Sequence, residues 1–135
     1  MSDKVFIDTN IFIYTQRTDS PDKSKIAEDI INRSDCVAST QVLNEIANVF
    51  TKKYPIAVDK LECLIKNICE ISEIVVINEA LISKALSLHN IYKAPYFDCL
   101  MIAAALFSDC DILYSEDMHN GLVIEDKLEI VNPFV

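Results

Sequence analysis

The apolar positions along the chain alternate between a strand-like and a helix-like period. Val5-Phe6-Ile7 is a short β-branched and aromatic run ending at Asp8, the pattern of a buried strand. Thr9 and Asn10 are helix-capping residue types, and a short helix is expected from Ile11 to Thr15. Residues 17–22 are polar and include Pro21, which predicts a loop. From Lys23 to Asn32 the apolar residues Ile26, Ala27, Ile30 and Ile31 recur at helical spacing. Cys36-Val37-Ala38 reads as a second strand. Ser39 or Thr40 then caps a helix to Lys53 with Val42, Leu43, Ile46, Val49 and Phe50 at its apolar positions. Pro55 is a break. Val58 to Ser72 forms another helix, with Leu61, Leu64, Ile65 and Ile68 on one side. Ile74 to Ile77 is the clearest strand signal in the chain. Asn78 begins a helix to Tyr92, and Pro95 opens a further one through Phe107, at a first-turn position that tolerates proline. Ile112–Tyr114 and Leu128–Val131 read as the last strands, the second stopped by Pro133.

Strands that alternate with helices predict an α/β fold with a mostly parallel sheet and helices on both faces. The 135 residues suit one domain spanning 1–135, without linker, repeat or low-complexity segment. The longest apolar run, Cys99 to Phe107, is nine residues, half of what a membrane span requires. The N-terminus lacks a signal-peptide pattern, and a cytoplasmic location is expected.

Composition narrows the chemistry. The single glycine, Gly121, cannot build a P-loop, a dinucleotide fingerprint or a G-x-S-x-G elbow. Five cysteines without a CxxC pair read as buried, reduced thiols. With only His89 and His119, both expected to be structural or exposed, a zinc site has no ligand spacing to rest on. The net charge of −9 opposes nucleic-acid binding, unless several acids share one pocket neutralised by a divalent cation. A basic partner protein is equally compatible with that charge.

Four acids stand out by position. Asp8 ends the first strand, and ligands in open α/β sheets bind beyond the carboxyl ends of strands. Taken alone it reads as a turn or capping residue. Glu45 lies at the edge of its helix's apolar stripe, half in the core. Asp98 sits in the first turn of an almost wholly apolar helix, among Tyr96, Phe97, Cys99 and Leu100, where a charge needs compensation. Asp117 mirrors Asp8 after the strand Ile112–Tyr114, with Ser115 and Glu116 beside it. In a parallel sheet these positions can converge on one edge. Clustered carboxylates need a cation or a proton, and all-oxygen ligands favour Mg²⁺ or Mn²⁺.

Asp8-Thr9-Asn10, Val42-Leu43-Asn44-Glu45, the segment Tyr96 to Ala105, and Leu113-Tyr114-Ser115-Glu116-Asp117 together resemble the PIN-domain superfamily. The ending from Gly121 to Phe134 is similar to the VapC-like toxins of type II toxin–antitoxin systems. The resemblance covers essentially the whole chain. It implies a three-layer α/β/α sandwich and a Mg²⁺- or Mn²⁺-dependent endoribonuclease. Asp8, Glu45, Asp98 and Asp117 fall on the family's metal-binding acids, and Asn10 and Ser115 on its small polar residues; Glu116 is an adjoining acid. Where some relatives carry a further acid, this chain has Asn120. The resemblance further implies an antitoxin partner and a homodimer. RNA contact would use local cations such as Arg17, Lys23, Lys25, Lys52 and Lys53. Three other readings compete. A non-catalytic PIN-like RNA- or protein-binding module is opposed by the complete acid set. An aspartate-based phosphatase would need an acid where Asn10 stands. A receiver domain does not account for Glu45 or the Tyr96-Phe97-Asp98 segment.

Overall fold

The computed structural model describes residues 3–135. The chain runs β1 (Lys4–Ile7), α1 (Thr9–Tyr14), α2 (Pro21–Arg33), β2 (Asp35–Ser39), α3 (Thr40–Lys52), α4 (Val58–Ile71), β3 (Ser72–Val75), α5 (Glu79–Tyr92), α6 (Tyr96–Phe107), β4 (Ile112–Tyr114), β5 (Val123–Ile124) and β6 (Leu128–Val131). The strands form one sheet in the order β3-β2-β1-β4-β6-β5. Every neighbouring pair is parallel except β5 with β6. With helices packed on it, this is the expected three-layer α/β/α arrangement.

The order has a functional consequence. From β1 the chain builds outward through β2 to β3, then returns with β4 to the opposite side of β1. The connections therefore reverse direction between β1 and β4, which opens a crevice at the carboxyl ends of these two strands. Both strands are central and buried: Phe6, Ile7 and Leu113 have no exposed surface. The middle of helix α6 is apolar all round because it is covered all round, while Phe97 and Phe107 at its ends are exposed. It packs on α5, β2 and β4, and Cys99 through Ala105 are all buried. Its alanines, Ala103, Ala104 and Ala105, have no bulk to hold neighbouring elements away.

Helix starts follow the capping chemistry. Ser39 Oγ accepts from Val42 N at 3.3 Å, and Asn78 Oδ1 from Leu81 N at 3.1 Å. The cap of α1 is Asp8, one residue before the expected pair. Pro21, expected in a loop, is instead the first residue of α2, where its missing N–H costs nothing.

Three further expectations are corrected. The third strand is Ser72–Val75, two residues earlier than the apolar run suggests, and Val76 is 67% exposed. It is an edge strand paired only with β2, and β2 ends at Ser39, opposite Val75, where α3 begins. Beyond it, Ile77 N donates to Thr40 Oγ1 at 3.1 Å. Strand β5 lies where a loop was expected. Its turn to β6 is closed by Lys127 N to Ile124 O at 3.0 Å, with Glu125 and Asp126 both at positive φ, 54° and 56°. Asn and Gly usually mark such turns, so the sequence carried no signal. Finally, Cys36, Cys99 and Cys110 are buried free thiols, but Cys63 and Cys69 are exposed on α4, whose buried residues are Leu61 and Ile68.

Leu113→Ala should lower the unfolding free energy by about 2–5 kcal/mol, because it empties space in a central strand. Val76→Ala should change it by less than ~0.5 kcal/mol. Urea unfolding of both variants checks the strand boundary; equal losses would contradict it.

Candidate active site

The crevice between β1 and β4 is organised by one hydroxyl. Ser115, just past β4 and fully buried, donates from Oγ to Asp8 Oδ2 at 2.8 Å. The same Oγ accepts from Asp117 N at 3.3 Å and Met118 N at 3.2 Å, so it also folds the loop that carries Asp117. Asp8 is held from its other side by Thr9 N, 2.6 Å from Oδ1. Its backbone N–H extends the β1–β4 pairing by donating to Tyr114 O at 3.1 Å.

The other acids are held by neighbours of Asp8. Asn10 Nδ2 donates to Asp117 Oδ2 at 2.6 Å. Thr9 Oγ1 donates to Glu45 Oε1 at 2.9 Å, and Gln41 Nε2 to Glu45 Oε2 at 3.0 Å. Thr9 and Gln41 were not singled out in the sequence as site residues. Their place follows from α1 crossing α3, a tertiary contact that no local pattern announces. Asp98 projects from the first turn of α6, half-buried, with no hydrogen-bond donor among the described residues.

The charges of these acids act on one another: Glu45 and Asp98 act on Asp8, and Asp117 and Glu45 on Asp98. Burial pushes the Asp8 carboxyl up to about 6; the bonds from Ser115 and Thr9 oppose this, and the charges of Glu45 and Asp98 add to it. Asp98 is raised as well, by burial first and then by Asp117 and Glu45. Among the described residues, no lysine, arginine or histidine makes a salt bridge with any of the four. Glu116 is different: it accepts from Tyr14 OH at 2.7 Å and pairs with Lys23. Burial opposes its ionisation, but these two partners prevail and hold its pKa below the usual value. It thus faces α1 and α2 and leaves the acid cluster. Asn120 is also engaged elsewhere, accepting from Asn132 N at 2.8 Å. Both histidines are exposed; His89 Nδ1 lies 2.6 Å from Ala94 O, and His119 lines a cavity of about 290 Å³ with Asp98 and Asp117. A second concavity, on the Glu45 side, includes Thr9 and Asn10.

The PIN domain family model matches residues 5–119, most of the chain. The chain belongs to the PIN-domain family. Members of this family are generally nucleases. No curated protein matches the sequence. Among solved structures, this PIN domain is similar to a chain of the toxin–antitoxin complex from Klebsiella pneumoniae, at 19% identity and a TM-score of 0.68, covering 96% of this chain and 97% of that one. VapBC2 from Rickettsia felis bound to a DNA fragment from its promoter gives 15% identity, a TM-score of 0.68, and 96% and 99% coverage. FitAcB from Neisseria gonorrhoeae gives 14%, 0.65, and 96% and 98%. At these identities the likeness establishes a shared fold over nearly the whole chain.

PIN domains typically depend on a divalent metal, and the donor set here fits a hard cation: four carboxylates, no thiolate and no imidazole among them. Two of the four are raised by burial and mutual repulsion, the state that a bound cation relieves. Among the described residues no three acidic, histidine or cysteine side chains already form a coordinating group. Asp8, Glu45 and Asp117 instead accept hydrogen bonds from Ser115 and Thr9, from Thr9 and Gln41, and from Asn10, respectively.

A pH dependence follows from Asp8. Its folded pKa of about 6 exceeds the ordinary 3.8, so the folded protein binds this proton more tightly than the unfolded chain. The resulting stability is complete below about pH 3.8 and is lost as the pH rises through about 6. The gap corresponds to ~3 kcal/mol. In EDTA, unfolding free energies of the parent should fall between pH 4 and pH 6.5, and those of Asp8→Asn should fall much less. Parallel curves would show that Asp8 does not carry this load.

Proposed function

We propose that this PIN domain, as a single domain over 1–135, is a Mg²⁺- or Mn²⁺-dependent endoribonuclease, and the toxin of a toxin–antitoxin pair. The observation that carries the reading is Asp8: a buried carboxyl at the switch of the sheet, in the field of Glu45 and Asp98, with no salt bridge to a cationic side chain among the described residues. A fold does not keep such a cluster for stability.

Asp8, Asp98 and Asp117 would hold the metal, with Glu45 completing or organising the set. A bound divalent ion supplies a water of lowered pKa and neutralises charge that develops on a phosphodiester. The protein's own part is positioning. Ser115 locks Asp8 and, through the backbone of residues 117 and 118, the loop that presents Asp117. Asn10 aims the Asp117 carboxylate, while Thr9 and Gln41 orient that of Glu45. Ser115 and Asn10 are thus supporting residues, and Glu116 acts through Tyr14 and Lys23.

RNA as substrate is supported by the surroundings of this site. Although the chain carries −9 overall, cations gather on aromatic rings beside α1. Arg17 lies over Tyr14 and Tyr54 at 5.4 and 5.1 Å, Lys23 over Tyr14 and Phe134 at 5.1 and 5.4 Å, and Lys53 over Tyr54 at 5.4 Å. Arg17 is paired with Asp19 and Lys23 with Glu116, so a phosphate backbone leading to the acids would meet Lys53 directly and share the other two cations with those carboxylates. An antitoxin partner is supported by the solved relatives, which include toxin–antitoxin complexes, and by an acidic crevice open to a basic side chain. A homodimer and a cytoplasmic location complete the reading. Among the described residues no helix is long and apolar enough to cross a membrane.

Purified protein incubated with total RNA should give discrete fragments with Mg²⁺ or Mn²⁺ and none with EDTA. Asp98→Asn, similar in size without the charge, should lower the rate at least ~100-fold. Failure to bind Mn²⁺, together with no cleavage, would replace this reading by a non-catalytic PIN-like RNA- or protein-binding module.

Ser115→Ala should raise the Mn²⁺ dissociation constant ~10- to 100-fold, because it frees a carboxylate that the metal requires fixed. Calorimetric titration measures this directly. An unchanged affinity would remove Ser115 from the positioning role.

A further inference from the structure

Beside Glu45 lies a groove of about 450 Å³ whose lining is unusual in kind. Four amide side chains face it: Asn10 from α1, and Gln41, Asn44 and Asn48 from α3. The last three are spaced i, i+3 and i+7, which sets them on one stripe of the helix, with Glu45 at its edge. Asparagine is a poor helix former, so two of them in the middle of α3 are not explained by helix stability. Asn44 and Asn48 are exposed, and neither side chain has a hydrogen-bond partner among the described residues. Asn10 and Gln41 each give one N–H, to Asp117 and Glu45, which leaves the second N–H and the carbonyl oxygen of each amide available. The groove therefore offers paired amide donors and acceptors, and no cation lines it.

That chemistry selects among ligands. A phosphate needs cations or a cluster of N–H groups, and the groove borders a carboxylate. A nucleobase edge needs what an amide presents, one donor and one acceptor side by side. Adenine, with an N6 donor beside the N7 acceptor, matches Asn or Gln in two hydrogen bonds. Guanine shows two acceptors on that edge, matched by Arg or Lys, which the groove lacks; an amide meets guanine only on its Watson–Crick edge, at N1–H and O6, and leaves the N2 amino group unpartnered, whereas adenine offers a donor beside an acceptor on both edges. The edge is accessible only when the base is unpaired.

We propose that this groove receives an unpaired adenine adjoining the phosphodiester to be cut, with Asn44 and Asn48 reading its edge. The inference rests on the RNA-cleaving function proposed above and adds a sequence preference to it. The cation–aromatic patch at Arg17, Lys23 and Lys53 then takes the backbone, and the amide groove takes the base. This division lets an acidic protein discriminate RNA sequence without a broad basic surface.

The test compares the parent with Asn44→Ala/Asn48→Ala on a single-stranded RNA pool of randomised sequence. Cleavage in Mn²⁺ is read by sequencing the fragment ends. Binding of the same pool in Ca²⁺ is read by sequencing the retained fraction. The parent should favour adenine over guanine about 10-fold at one position next to the cut, and the double variant less than about 2-fold. Mn²⁺ affinity and thermal unfolding, measured alongside, should match the parent, which separates loss of base reading from loss of the site. The same preference in both proteins, or a guanine preference in the parent, overturns the inference and leaves the nuclease function standing. If the parent cuts nothing, the retained fraction decides. Adenine enrichment that the double variant loses supports the groove while cleavage fails. Equal retained pools overturn the groove as well.

Discussion

The parallel pairing of β1 with β4 is the contact on which the rest of this molecule turns. It joins segments 107 positions apart in sequence and sets Asp8 beside Ser115 at the sheet's switch point. One bond, Ser115 Oγ to Asp8 Oδ2, then connects the strand pair to everything around it. On one side it fixes the cap of α1, whose Thr9 and Asn10 reach Glu45 and Asp117. On the other it fixes the loop after β4. Burying Asp8 among like charges works against folding, and the offset comes from outside the site. Val5, Phe6 and Ile7 of β1 and Leu113 of β4 are buried, and so is every residue of α6 from Cys99 to Ala105. The crevice is an electrostatically unfavourable region carried by an otherwise well-packed α/β sheet.

Much of this was legible in the sequence because strands and helices declare themselves through spacing. The six helices and the strands at β1, β2, β4 and β6 follow the apolar periods closely. The errors lie where tertiary pairing, not local pattern, sets the limit. Val76 and Ile77 have every local mark of a strand, yet β2 stops at Ser39 and leaves them nothing to pair with. The β5–β6 hairpin is invisible for the opposite reason: Glu125 and Asp126 adopt a backbone conformation their side chains do not advertise. Cys63 and Cys69 sit among apolar neighbours in sequence and face solvent in space, because a helix turns adjacent residues to different sides.

The four acids were visible individually as ends of strands and flanks of helices, and the structure brings them into one field. What the sequence could not supply was their environment. Thr9 and Gln41 emerge only from α1 meeting α3. Glu116, next to Asp117 in sequence, is drawn toward Tyr14 and Lys23. Identities of 14–19% over 96% of the chain show how far sequence can drift while this scaffold is retained. A scaffold alone does not determine chemistry, which resides in the particular side chains at its switch point.

The distance in sequence between the two halves of the crevice also orders events in time. Synthesis proceeds from the N-terminus, so Asp8, Glu45 and Asp98 leave the ribosome before Ser115 and Asp117 exist. β1 then has its β2 neighbour but lacks β4 and β6 on the other side, and the Asp8 carboxyl has neither its serine partner nor its burial. The cluster closes only after β4 and the loop behind it have emerged. A nascent chain that stops short of β4 therefore has three of the four acids and none of the bonds that Ser115 makes to Asp8 and to the loop carrying Asp117.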